Sequence, residues 1–243
     1  MKDELLKYSQ QIIAYDSASE YYIANGFFVL YKDSYYFITA EHAIFYEYEL
    51  LSNVYFVLHE NGNNLNTYVK KFDKWQVVKL YLMPDDVSGF TFPIQIGSED
   101  FAFCRIEKNE ETIELPFFLS GEKFASCSNK SFEYILIKDN LTYPSSEKKY
   151  YFGGKKLEKT TSECRIYKTY FYSDMSYIGN QGDLYVFKIK DSPALDDMKG
   201  LSGSPVFDED KEFVGIAVRY CAEYNTLLVY PAENMLYYLE NLV

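Results

Sequence analysis

From about residue 20 onward the chain alternates apolar and polar positions in short runs. Successive side chains on a strand point to opposite faces, so runs rich in Tyr, Phe, Val and Ile between turn residues predict β-strands. In the first half these runs are YYIANGFFVLY, YYFITA, NVYFVLHE, WQVVKLYLM and FAFCRI. In the second half they are SFEYILI, CRIYKTYFY, DLYVFKI, SPVF, FVGIAVRY and TLLVY. With almost no long helical pattern between them, they predict a sandwich or barrel rather than βαβ units.

Both ends of the chain follow a helical periodicity instead. Within residues 2–14 the apolar pairs LL and II recur after two helical turns, which predicts a short amphipathic helix. Near the C-terminus Pro231 stands where a helix is expected to begin, because proline is tolerated in the first helical turn. The apolar stripe that follows consists of Met235, Leu236, Leu239 and Leu242. We therefore expect a terminal helix that packs on the second β-unit.

Composition supports a β-rich chain of one large domain or two compact ones. Aromatic residues make up 19% of the 243 residues, with 26 Tyr and 19 Phe against one Trp, and such residues favour pleated, half-buried surfaces. The segment EKNEETIELPFFLSGE, around residues 107–122, is charged at first and then contains a proline, which is typical of a connector. We place the domain boundary inside it, giving domains 1–115 and 116–243.

Charge and cysteine usage narrow the classes of partner. The formal net charge of −12 argues against nucleic acid, because phosphate binding requires a basic surface. The first residues, MKDELLKYSQQIIAYDS, do not read as a signal peptide, and no run of 18 apolar residues occurs. We therefore expect a cytoplasmic protein with no membrane partner. Four scattered cysteines without a CxxC pair and only two histidines predict free thiols, no metal site and no cofactor.

Three short stretches carry candidate chemistry, each at the edge of a predicted strand. A strand ends in TAEH, which contains His42; Asp100 opens the strand DFAF; and Ser202 lies between two glycines in KGLSGSPVF. Acyl transfer by serine requires a histidine that takes the hydroxyl proton, a carboxylate that orients the imidazole, and amides that stabilise the oxyanion. The three stretches supply these groups in that order.

Other residues could fill the same roles. The carboxylates of Glu99, Asp85 and Asp86 are alternatives to Asp100, and Ser204 is an alternative nucleophile to Ser202. The serine loop could also be a glycine-rich turn between two strands with no catalytic role. His59, inside the predicted strand VYFVLHE, is interpreted as structural.

The motifs TAEH, DFAF and GLSGSP resemble the histidine, aspartate and serine motifs of trypsin-like (chymotrypsin-fold) serine proteases. The chain order His, Asp, Ser is also that of this family. The resemblance covers about residues 20–243, although residues 107–175 share only the general pattern of short strands and none of the motifs. It implies an all-β fold of two six-stranded antiparallel β-barrels with a short N-terminal helix and a C-terminal helix. The histidine and aspartate would lie in the first barrel and the serine in the second.

The resemblance also implies a role for each residue. Ser202 would be the nucleophile, His42 the general base and then acid, and Asp100 the orienting carboxylate. The backbone N–H groups of Gly200 and Ser202 would form the oxyanion hole. A mild departure is Ser204, which stands where the motif usually has its second glycine.

Two further departures bear on activation and specificity. Leu201 replaces the acid that secreted digestive members carry directly before the serine, so activation through a newly released N-terminus is not expected. Asp196 stands where family members that prefer Arg or Lys place the acid at the base of the pocket. The pocket wall would include Val218, Arg219 and Tyr220, and the bulk of Tyr220 would narrow it.

We therefore expect an intracellular serine endopeptidase that cleaves a narrow set of protein or peptide substrates through an acyl-enzyme intermediate. This hypothesis includes an activating or target partner protein, because substrates would have to be recruited by the surface of the predicted barrels or by a partner. The alternative is a catalytically silent binding protein of the same fold. The complete triad argues against it, and the departures at Leu201 and Tyr220 keep it open. A hydrolase acting on a non-peptide ester is a third possibility.

Overall fold

The computed structural model describes residues 1–15, 21–46, 49–50, 53–59, 67–72, 75–82, 94–106, 134–137, 139–160 and 165–242. Its helices are α1 (Lys2–Leu5), α2 (Leu195–Met198) and α3 (Ala232–Leu242), and a 3-10 turn spans Glu41–Ala43. The first ten strands are β1 (Gln10–Tyr15), β2 (Tyr21–Tyr31), β3 (Ser34–Thr39), β4 (Phe45–Tyr46), β5 (Glu49–Leu50), β6 (Asn53–His59), β7 (Thr67–Phe72), β8 (Trp75–Leu82), β9 (Ile94–Ile106) and β10 (Tyr134–Leu136). The remaining strands are β11 (Lys149–Thr160), β12 (Arg165–Gln181), β13 (Leu184–Lys188), β14 (Pro205–Asp208), β15 (Phe213–Cys221) and β16 (Thr226–Pro231).

Fourteen of the sixteen described strands form two β-units, and β4 and β5 pair separately as a two-stranded sheet. The first is a sheet in the order β7-β6-β1-β2-β3-β9-β8, antiparallel throughout, with β10 added in parallel beside β2. The second is a closed antiparallel barrel in the order β11-β12-β13-β16-β15-β14. The all-β fold class is thereby confirmed: the second unit is a closed six-stranded barrel, and the first, a sheet of eight described strands, is consistent with a double-barrel fold. The expected connector and the boundary at 115/116 lie outside the described residues.

The predicted N-terminal helix is much shorter than its periodicity indicated. Helix α1 ends at Leu5, and residues 10–15 form strand β1 between β2 and β6. Ile12 is completely buried there, and the strands on both sides pair with the backbone of β1. This tertiary pairing outweighs the helical pattern, since a short isolated helix is marginal in water. The prediction of a helix across 2–14 was wrong beyond its first turn.

Strand β11 was not predicted, because KYYFGGKKLEKT contains two glycines and four lysines. The structure explains the glycines by close backbone approach. A Cβ at Gly153 would lie 2.4 Å from the carbonyl oxygen of Tyr170 on the neighbouring strand β12. Glycine inside a strand marks this kind of contact.

The terminal helix α3 is confirmed, and it packs against β15 and β16. Met235 and Leu239, on its apolar stripe, are completely buried. They belong to one hydrophobic cluster that draws residues from both β-units. Within it the ring of Phe101, from β9, stacks on Tyr230 of β16 with centroids 5.8 Å apart and planes 6° apart. The first residue after the candidate aspartate is thus anchored where the two units meet.

Candidate active site

His42 and Asp100 are brought together by the pairing of strands β3 and β9. Thr39, the last residue of β3, pairs with Ala102, so the chain leaving β3 passes directly beside Asp100. The 3-10 turn that follows β3 carries His42. Both carboxylate oxygens of Asp100 lie 2.8 Å from His42 Nδ1. The backbone N–H of His42 also donates to Asp100 Oδ1 at 3.2 Å.

This contact fixes the tautomer of the imidazole. An ionised carboxylate can only accept hydrogen bonds, so Nδ1 carries the proton and the lone pair of the neutral ring is at Nε2. The His42 side chain is 46% exposed and that of Asp100 30%. The imidazole is therefore oriented by the protein on one side and accessible on the other, which is the arrangement of a general base.

The loop that carries Ser202 lies against the first β-unit. Gly203 has φ +83°, and a Cβ there would lie 1.9 Å from the backbone oxygen of Asn25 and 2.5 Å from Thr39 Oγ1. The backbone N–H of Asn25 donates to the carbonyl of Ser202 at 2.8 Å. Only glycine permits this approach. The serine loop therefore contacts β2 and β3, the second of which leads into the His42 turn.

Two amides of the serine loop have no acceptor among the residues that the structure describes. Four backbone N–H groups donate to backbone carbonyls within the protein, namely those of Lys199, Leu201, Gly203 and Ser204. Those of Gly200 and Ser202 have no acceptor within the described ranges. Gly200 has φ +84°, a conformation that favours glycine. The free amides are the two that the sequence assigned to an oxyanion hole.

The Ser202 hydroxyl points elsewhere in this structure. Its Oγ donates to the carbonyl of Val218 at 3.4 Å, and no hydrogen bond joins the described side chains of Ser202 and His42. The structure thus unites His42 with Asp100 and places the serine loop nearby, without completing the link between histidine and serine. Leu201 is 1% exposed within the hydrophobic core of the second barrel.

The proposed pocket residues occupy different environments. The carboxylate of Asp196 is 81% exposed and pairs with Lys199 Nζ at 2.7 Å, and this hydrogen bond lowers the pKa of Asp196. Its carboxylate lies at the surface rather than enclosed in a pocket. Val218 is buried and Arg219 is exposed.

Tyr220 is held in place by the loops around it. Its hydroxyl has two acceptors within reach, Asn225 Oδ1 at 2.9 Å and the carbonyl of Pro193 at 3.2 Å. Burial raises the pKa of Tyr220, so this group remains a neutral donor at physiological pH. Its partly buried ring packs against the core of the second barrel.

Sequence reasoning missed Asn25, whose side-chain amide donates to the carbonyl of Gly200 at 2.6 Å. This side chain is completely buried. The available signal was a polar residue inside the otherwise apolar run YYIANGFFVLY. Buried polar side chains require hydrogen-bond partners, so such a residue marks a specific contact.

Within the described ranges, no group of three or more His, Cys, Asp or Glu residues is placed to hold a metal ion. None of the helices in the same ranges combines the length and the apolar character needed to cross a membrane.

Comparisons with known proteins give a fold but no sequence relative. No family model matches the chain, and no curated protein matches it. The serine endoprotease of Yersinia pestis has a TM-score of 0.52 at 12% identity, over 99% of this chain and 64% of that one. Tobacco etch virus protease in complex with product has a TM-score of 0.51 at 10% identity, over 99% and 81%. The protease Anisep of Arthrobacter nicotinovorans has a TM-score of 0.50 at 14% identity, over 93% and 90%. The chain therefore has the fold of chymotrypsin-like proteases, as its motifs indicated.

Proposed function

We propose that this chain of chymotrypsin-like fold is a serine endopeptidase whose triad is His42, Asp100 and Ser202. One observation carries the proposal. The His42 imidazole is oriented by the Asp100 carboxylate at 2.8 Å, and it follows strand β3. Against β2 and β3 packs the serine loop, in which two amides have no acceptor among the described residues. General base, nucleophile and oxyanion donors are the parts that acyl transfer requires.

Acylation begins when Ser202 Oγ attacks the carbonyl carbon of the substrate peptide bond and its proton passes to His42 Nε2. The carbonyl oxygen becomes an oxyanion that accepts hydrogen bonds from the amides of Gly200 and Ser202. The carbon–nitrogen bond then breaks as His42 returns the proton to the leaving amine. The acyl group remains on Ser202 as an ester, and Asp100 stabilises the transient imidazolium.

Deacylation repeats these steps with water as the nucleophile. His42 takes a proton from the water, which attacks the ester carbon, and the oxyanion again lies against the two amides. The ester bond breaks, Ser202 Oγ recovers its proton from His42, and a carboxylic acid leaves. Each oxyanion donor contributes about 10²–10³-fold to kcat in related chemistry.

The proposed substrates are proteins or peptides. A preference for Arg or Lys requires a carboxylate enclosed in the pocket, and the exposed, Lys199-paired carboxylate of Asp196 gives that preference no support. Tyr220, tied to Asn225 and Pro193, is proposed as the wall that limits the size of the bound side chain. A narrow target, a partner protein and a cytoplasmic location stay predictions from the sequence.

A fluorophosphonate probe tests the proposal, because it phosphonylates only an activated serine. We expect labelling of the wild-type protein, loss of labelling in Ser202→Ala, and retained labelling in the control Ser204→Ala. Ser204 is a matched control because it is the alternative nucleophile in the same loop, yet it is completely buried. Labelling of Ser202→Ala would contradict the proposal.

A catalytically silent binding protein is the second candidate. The observation that favours it is the Ser202 hydroxyl, which donates to the Val218 carbonyl instead of to His42. Proteases also show long or missing catalytic hydrogen bonds before substrate binds, which is why we place this candidate second. Absence of labelling in the wild type, alone and with cell lysate added, would favour it.

A further inference from the structure

Asn25, on strand β2, is a completely buried amide that the proposed reaction does not use directly. Its Oδ1 accepts hydrogen bonds from Ser9 Oγ and from the backbone N–H of Lys155, both at 3.0 Å. Its Nδ2 donates to the carbonyl of Lys155 at 3.0 Å and to that of Gly200 at 2.6 Å. A primary amide has two donor hydrogens and two acceptor lone pairs, so every position is occupied.

The backbone of Asn25 makes two more contacts with the catalytic region. Its N–H donates to the carbonyl of Ser202 at 2.8 Å, and its carbonyl accepts from Thr39 Oγ1 at 2.7 Å. Asn25 therefore holds the serine loop at two carbonyls, those of Gly200 and Ser202. It also holds the end of β3, which leads into the His42 turn.

These contacts fix the peptide group between Gly200 and Leu201. Its carbonyl is held by Asn25 Nδ2, and its N–H donates to the carbonyl of Met198 at 3.1 Å. Because a peptide group is planar, holding both ends fixes the orientation of its plane. The peptide groups directly before and after it carry the free amides of Gly200 and Ser202. Rotation of the held peptide would change the orientation of both neighbouring amides.

We propose that Asn25 is a positioning residue that holds the oxyanion loop ready for reaction, an inference that rests on the proposed function above. The side chain acts through Gly200 and does not touch the substrate. Leu201, buried in the barrel core, has no charge with which an ion pair could hold this loop. The buried amide of Asn25 supplies the polar restraint instead, and its other bonds tie that restraint to Ser9 and to β11.

The near-isosteric variant Asn25→Asp tests this role. It keeps the acceptor that faces Ser9 and the N–H of Lys155, but it replaces the Nδ2 donor by an oxygen. That oxygen then faces the carbonyls of Gly200 and Lys155 and repels both. The matched control is Ser9→Ala, which removes one hydrogen bond from the opposite side of the same amide. A second variant, Asn25→Ala, removes the donor without the repulsion in case the aspartate does not fold.

The kinetic readout is phosphonylation by a fluorophosphonate, resolved into the binding constant KI and the maximal rate kinact per folded molecule. For Asn25→Asp we expect kinact to fall about 10²-fold, as when an oxyanion donor is lost, with KI within about 3-fold. Asn25→Ala should lower kinact about 10-fold, and Ser9→Ala less than about 3-fold. Amide hydrogen exchange at Leu201 should accelerate in both Asn25 variants and not in Ser9→Ala.

The outcomes separate this inference from the proposed function. A wild type that reacts, together with folded Asn25 variants of unchanged kinact, overturns the positioning role and leaves the triad intact. Equal losses in Ser9→Ala and the Asn25 variants also overturn it, since they indicate general destabilisation. A wild type that does not react at all overturns the proposed function, and the positioning role with it. A selective loss of kinact in the Asn25 variants, accompanied by faster exchange at Leu201, supports it.

Discussion

Replacing Asp100 by asparagine separates the proposed catalytic role of the carboxylate from any structural role. The backbone N–H of His42, 3.2 Å from Oδ1, requires an acceptor, so it selects the orientation in which the amide oxygen of the asparagine replaces Oδ1. The amide nitrogen then replaces Oδ2, 2.8 Å from His42 Nδ1. There it donates to Nδ1 and shifts the ring proton to Nε2. The imidazole then has no lone pair with which to accept the proton of Ser202.

The expected loss of activity is large and the expected loss of stability is small. In the general serine-protease triad this substitution lowers kcat about 10⁴-fold, which corresponds to about 5 kcal/mol of transition-state stabilisation. The pair itself is half-exposed, with side chains 46% and 30% accessible, and such pairs contribute about 0–1 kcal/mol to folding. For a chain of this size we therefore expect Tm to fall by no more than about 4 °C.

The assay is the rate of fluorophosphonate labelling at pH 7 for wild type, Asp100→Asn and Glu99→Gln, with Tm measured in parallel. Glu99 is the neighbouring acid that the sequence left as an alternative, so Glu99→Gln should label at nearly the wild-type rate. An Asp100→Asn rate within 10-fold of the wild type would refute the reasoning. So would a large fall in Tm, which would make this carboxylate a structural group.

Three further changes test separate parts of the structure. Gly203→Ala should abolish labelling and lower Tm strongly, because the added Cβ would lie 1.9 Å from the backbone oxygen of Asn25. The control Gly182→Ala is also at positive φ, but a Cβ there has nothing within 4 Å, so its free energy of unfolding should fall by only about 1 kcal/mol. Asp196→Ser should leave the cleavage sites in a proteome unchanged, since its carboxylate is 81% exposed; loss of cleavage after Arg and Lys would place it in the pocket. Lys148→Met should lower the free energy of unfolding, measured in urea, by about 1–3 kcal/mol, because the buried carboxylate of Asp208 loses its only cation among the described residues. The hydrogen bond to Asp208 raises the pKa of Lys148, so the difference in stability between wild type and Lys148→Met should persist up to about pH 10 and shrink as Lys148 loses its proton at higher pH. A difference in stability that stays constant above about pH 10 would contradict the role of this ion pair.

Strands and helices were predicted correctly where the alternation or helical periodicity of a single segment was enough to identify them. The run predicted for residues 21–31 coincides with β2, and the apolar stripe after Pro231 became α3. Strands β1 and β11 were missed for the opposite reason. Each has one partner that is distant in sequence: β1 pairs with β6 on one side, and β11 closes the barrel against β14. Local propensity does not contain that information.

The catalytic candidates divide in the same way. The chemistry of His42, Asp100 and Ser202 follows from residue type and order, and the sequence named all three. The exposure of Asp196 was not readable, because it depends on a neighbouring Lys199 and on how α2 sits at the surface. The orientation of the Ser202 hydroxyl toward Val218 was equally unreadable.

The sequence by itself determined which residues are candidates for catalysis and most of the strands on which they lie, because motifs and alternation are properties of adjacent residues. Only the tertiary structure decided that two amides of the serine loop lack an acceptor in the described part of the chain, and that Asn25 holds the peptide group between them. Asn25 and Gly200 are 175 positions apart, and their hydrogen bond exists only because folding packs the serine loop of the second unit against the first.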